Sequence, residues 1–142
     1  MCSLIQFFEE EVHYKPAGEE SLKEWILHSV EKEGGGISVL NIIFCKDDYL
    51  LELNQRFLER DTLTDVIAFD YHEEENEVSG DIFISIDRIR ENAEIFGQSL
   101  DKEVKRVIIH GVLHLLGYDD RDPGSKLQMT AKEDYYLSLL PF

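Results

Sequence analysis

The chain has 142 residues, 43% of them hydrophobic and 11% aromatic, with 14 basic against 30 acidic side chains and a formal charge of -16. That size and apolar content favour one domain with a sizeable core and exclude a disordered chain. The charge keeps the protein soluble and repels nucleic acid at long range, so an RNA or DNA partner must meet a local basic patch or arrive with other proteins.

Residues 3–8 are read as a first strand. The opening MCSLIQFFEEEV lacks a basic region, and its apolar stretch is broken by Glu9, Glu10 and Glu11, so neither a signal peptide nor a membrane span is expected and the expected location is the cytoplasm. Residues 19–33 have helical spacing through Leu22, Trp25, Ile26 and Val30, stopped by Gly34-Gly35-Gly36. Residues 37–45, ISVLNIIFC, form a β-branched run fit for a buried strand. Its last residue, Cys45, reads as a small buried hydrophobe, and with Cys2 it makes no disulfide framework. Asp47 is expected to cap a helix running through Leu50, Leu53, Asn54 and Phe57.

Residues 65–71 and 81–85 read as two strands, a hairpin with the long acidic tip HEEENEVSG, in which His72 is a solvated loop residue. Helices are predicted over 86–96, ended by Gly97, over 101–116 and over 125–139. The order β-α-β-α-β-β-α-α-α does not suit a simple doubly wound sheet. The predicted fold is α+β: one domain over residues 1–142, a small mixed β-sheet packed with helices, a buried helix carrying two histidines, and a metalloprotease-like metal cradle.

That helix carries HGVLHLLGYDD, residues 110–120. Residues four apart share a helix face, with Cβ atoms about 5–6 Å apart, so His110 and His114 project side by side. Their neighbours are apolar nearly all round, so the pair is either satisfied in the core or faces a cleft. Three features favour a metal site over two core histidines. Gly117 can take a positive φ and end the helix, the chain can then turn back, and Asp120 offers an oxygen ligand of a type zinc accepts. The spacing is close to the metzincin pattern, but the glutamate those proteases need after the first histidine is here Gly111. A peptidase of that mechanism is therefore not expected, and the missing side chain is expected to leave space above the metal.

The segment resembles the signature of the YbeY family of bacterial rRNA-maturation endoribonucleases, H-G-x-L-H-L-x-G-Y-D-H, at every defined position but the last. LTDVIAFDY (63–71) and GDIFIS (80–85) match two further family segments in order and spacing, as does Leu53-Asn54 upstream. The likeness spans roughly residues 37–140. It implies a cytoplasmic metalloprotein, zinc-binding, that cuts single-stranded RNA during small-subunit rRNA 3′-end maturation and ribosome quality control. The family's three ligands carry over onto His110, His114 and Asp120. The third is histidine in most members, and the carboxylate here makes manganese or another divalent ion less improbable. An arginine that the family often carries after L-N falls at Leu58, flanked by Arg56 and Arg60, so that role is not transferred.

The expected nucleophile is a metal-bound water, whose pKa zinc lowers to about 7. No general base is assigned, with Asp65 and Asp119 as candidates. Lys102 and Arg106 stand at one-turn intervals before His110 and suggest a short basic track for RNA, with Arg60 a further candidate. Alternatively, both are solvated residues paired with nearby carboxylates such as Asp101 and Glu103. Two other functions compete: a metallohydrolase of a different substrate, and a ribosome-assembly factor with a structural metal whose acidic face docks basic small-subunit proteins.

Overall fold

The run ISVLNIIFC is apolar without alternation because it lies in the middle of a sheet. In the computed structural model, which describes residues 4–57, 65–71, 77–118 and 122–140, it forms β2 (Gly36–Cys45). Leu40, Ile42, Phe44 and Cys45 in it are fully buried, as a parallel strand covered on both faces requires. β1 (Ile5–Glu9) lies parallel to β2 on one side, with Ile5 opposite Leu40. β4 (Glu77–Ser85) lies parallel on the other, with Ile42 opposite Ile82. β3 (Val66–Asp70) closes that side antiparallel to β4, with Val66 opposite Ile84. Among the described residues the sheet thus has four strands in the order β1-β2-β4-β3, mixed as expected.

The hairpin pairing of residues 65–71 with 81–85 holds, but β4 begins at Glu77, earlier than its apolar pattern suggests, because Glu77 and Val78 continue the ladder beside Gly36 and Ile37. The rest of the tip, including His72, lies outside the described residues.

The helices follow the predicted order: α1 (Glu19–Lys32), α2 (Asp47–Phe57), α3 (Ile86–Phe96), α4 (Leu100–Leu115) and α5 (Pro123–Ser138). Asp47 does not act as the expected cap. It is the first helical residue of α2, and its carboxylate accepts from Ser85 Oγ at 2.6 Å and Arg88 Nε at 3.1 Å, tying α2 to the start of α3. Ser85 in turn caps α3 by accepting from the Arg88 amide. The Cys45 thiol is buried beside Asp47, and burial first, then the nearby carboxylates, push its pKa up to about 12, so it stays an inert thiol.

α4 lies on β3 and β4 and is flanked by α3 and α5. Ile108, Ile109, Val112 and Leu113 are fully buried within it. Each such side chain contributes about 1.5–3 kcal/mol on leaving water. α1 reaches α5 through Trp25, whose indole N–H donates to the Tyr136 carbonyl at 2.7 Å. No helix among the described residues is long and apolar enough to cross a membrane.

Candidate metal centre

α4 is held at both ends by its own sequence. Ser99 caps its start by accepting from the Lys102 amide at 3.1 Å. At its end Gly117 takes φ 107°, as its place after the histidines predicted. The Gly117 amide then bonds the His114 carbonyl at 3.0 Å, and the Tyr118 amide bonds the Leu113 carbonyl at 3.0 Å. This pair of bonds is the Schellman closure, which an L side chain at the glycine would strain.

One turn earlier the helix brings His110 and His114 together. Their rings meet edge to face, with centroids 4.6 Å apart. Nε2 of one lies 3.0 Å from Nε2 of the other. The His110 side chain is 23% exposed, so the pair stands at the rim of the core and not inside it. Its other nitrogen is also engaged: His110 Nδ1 lies in hydrogen-bond contact with Glu133 Oε2 of α5 at 2.5 Å. The second Glu133 oxygen accepts from Arg106 at 2.9 Å, and Arg106 also reaches Asp134 Oδ1 at 2.6 Å.

Acidic groups gather on this side of α4. Asp65, just before β3, has its pKa raised: burial pushes it up, the nearby His110 imidazole opposes this without cancelling it, and Glu133 adds to the rise. Glu103 is raised by burial first, against the pull of Arg106, with Asp65 and Glu133 adding to the rise.

The other residues singled out from sequence fall as follows. Asp120, Asp119 and Arg60 lie outside the described residues. Among the described ones, no further histidine, cysteine or acidic side chain makes a three-donor metal set. Lys102 is exposed. Arg106 stands one turn before His110, but its guanidinium is turned to the two α5 carboxylates. Asp101, expected near Lys102, pairs with Lys105 at 2.5 Å instead. Arg56 is exposed and reaches Glu52 at 3.4 Å.

The space expected at Gly111 is not open. A Cβ there would sit 2.9 Å from Ile82 Cγ2, so the missing side chain lets α4 approach β4.

Sequence reasoning missed Glu133 and Glu33. Glu33, at the end of α1, accepts from Tyr118 Oη at 2.6 Å, from Lys132 Nζ at 3.0 Å and from the Tyr136 hydroxyl, which ties the exit of α4 in place. Glu133 did leave a signal. It falls between Met129 and Tyr136 at helical spacing, on the inward face of α5, where an acid needs a partner.

A mixed sheet with an imidazole pair on its central helix, closed by a glycine turn and backed by a buried carboxylate, defines an α+β protein with two histidine nitrogens brought face to face. The family described as Endoribonuclease YbeY matches residues 5–140, and the chain belongs to it. An Endoribonuclease YbeY of Cytophaga hutchinsonii is 44% identical over 138 residues, covering 97% of this chain and 96% of the relative. One of Flavobacterium psychrophilum is 46% identical over 132 residues, covering 93% and 94%. The solution structure of a Thermotoga maritima protein superposes with a TM-score of 0.67 at 34% identity, covering 96% of this chain and 88% of that one.

Proposed function

We propose that the chain is a metal-dependent endoribonuclease that cuts single-stranded RNA in ribosomal RNA processing, with His110, His114 and Asp120 as ligands of one divalent ion, zinc in the first place. Membership of the family supplies the endoribonuclease activity. The observation that carries the metal reading is the convergence of the two Nε2 atoms at 3.0 Å. Two nitrogens on a tetrahedral zinc, each about 2.0–2.1 Å from the ion, stand roughly 3.3 Å apart, so the pair needs only a small adjustment. Two imidazoles and a carboxylate suit zinc, and the carboxylate also admits manganese.

When bound, such an ion supplies a Lewis acid and an activated water for attack on a phosphodiester. The chain's own residues do the rest. α4 fixes the direction of both imidazoles. Asp65, just before β3, and Asp119 stay the two candidates for the proton-transfer role in this reading. Lys102 and Arg60 are the residues proposed to touch the RNA backbone, and a third of the Arg106 side chain is exposed one turn after Lys102. The net charge of -16 favours basic small-subunit ribosomal proteins as the partners that deliver the RNA.

Elemental analysis and a single-stranded RNA cleavage assay on the parent and on His114→Ala test this. The expected result is one ion per chain and cleavage in the parent, with both lost in the variant. Undiminished metal and cleavage in His114→Ala overturn the site. Metal retained by the parent without cleavage of any RNA favours the assembly-factor reading, which the acidic surface also suits.

A further inference from the structure

Resting on that metal reading, we propose that Glu133 is the positioning residue of the histidine pair: clamped by Arg106, its carboxylate holds the His110 proton on Nδ1, so that Nε2 is presented to the ion.

A carboxylate buried as deeply as Glu133, whose side chain is 9% exposed, destabilises the fold unless both oxygens are engaged. Both are. One accepts from the Arg106 guanidinium at 2.9 Å and the other lies 2.5 Å from His110 Nδ1. An ionised carboxylate only accepts, so the proton of that short bond belongs to Nδ1. A neutral imidazole protonated there keeps its lone pair on Nε2, the atom that faces His114. Hydrogen bonding of a ligand histidine to a carboxylate fixes its tautomer and raises its basicity.

Arg106 acts through Glu133. Burial lowers its pKa, but the bonds to Asp134 and Glu133 more than offset this and leave it firmly charged. Its guanidinium thus bridges α4 to two successive acids of α5 and keeps Glu133 from rotating off the histidine. The track suggested by the spacing of Lys102 and Arg106 makes the opposite prediction for Arg106, namely lost RNA affinity at unchanged metal affinity.

The test measures zinc affinity by competition with a chromophoric chelator in the parent, Glu133→Ala, Arg106→Ala and Asp134→Asn, each shown folded by circular dichroism. Glu133→Ala is expected to bind zinc about 10–100-fold more weakly. Arg106→Ala should shift in the same direction by less, and Asp134→Asn least. Parental zinc affinity in Glu133→Ala overturns the proposal while leaving the metal site standing. A parent that takes up no zinc overturns both.

If Glu133→Ala does not fold, the zinc-loaded parent decides. Long-range proton–nitrogen spectra should show His110 bound through Nε2 with a slowly exchanging proton on Nδ1. Metal on Nδ1, or a rapidly exchanging proton there, overturns the role of Glu133.

Discussion

Glu33 and Glu133 are buried alike, with side chains 10% and 9% exposed, but they end in different kinds of network. Around Glu33 two tyrosine hydroxyls and a lysine ammonium all point inward to one carboxylate. Burial pushes that carboxyl up, yet the bonds from Tyr118, Tyr136 and Lys132 outweigh it and hold its pKa below the usual value. Around Glu133 the bonding runs onward, through His110 to His114, and brings two nitrogens to face each other. At most one proton fits between those nitrogens, whereas a cation would use both lone pairs. A network that closes on itself holds elements together. One that leads to converging donors holds a place for a ligand.

The largest effect is expected at the histidine pair. His114→Ala, which leaves both Glu133 oxygens engaged, should abolish stoichiometric metal uptake, while stability of the metal-free protein changes by only about 1 kcal/mol, as for an average substitution. Metal titration beside urea denaturation separates the two quantities. A variant that unfolds yet still binds metal would reverse the contrast between the regions.

Glu33→Gln should do the converse: about 2 kcal/mol of stability lost at pH 7, from weakened bonds to a charged group, with metal affinity falling less than in Glu133→Ala. Because the folded pKa of Glu33 lies below the ordinary 4.5, its stabilisation is present above that value and fades as pH falls through the folded one. Parent and variant should therefore converge in acid. A stability gap that does not change with pH would mean that the charge of Glu33 contributes nothing.

The third effect probes packing beneath the pair. Gly111→Ala drives a Cβ against Ile82 and should cost about 1–3 kcal/mol by overpacking. Urea denaturation measures it, and a neutral result would show that α4 can lift from β4 without penalty.

Much of the fold was legible because local rules decided it. The helix over Ile86–Phe96 has both predicted ends, set by Ser85 and by Gly97 at φ 65°. The turn at Gly117 follows from backbone sterics alone. The parallel placement of β4 beside β2 was not legible, since sequence periodicity says which face is apolar and not which strand is the neighbour. Asp47 was misread as a cap because its true partners, Ser85 and Arg88, lie about forty positions away in sequence. At the site, the i,i+4 histidine pair was visible from spacing. Glu133 showed only its place on the inward face of α5; its partner did not show, because His110 lies on another helix, 23 positions away in sequence. Gly111 was read as open space because a missing side chain looks the same in sequence whether the gap is empty or filled by Ile82.

The most direct test of the central claim is a zinc-loaded crystal measured at the zinc absorption edge. The expected anomalous peak lies about 2.0–2.1 Å from Nε2 of both His110 and His114, with the Asp120 carboxylate as third protein ligand. A peak elsewhere, with the two imidazoles still bonded to each other and the Asp120 carboxylate in solvent, would contradict it.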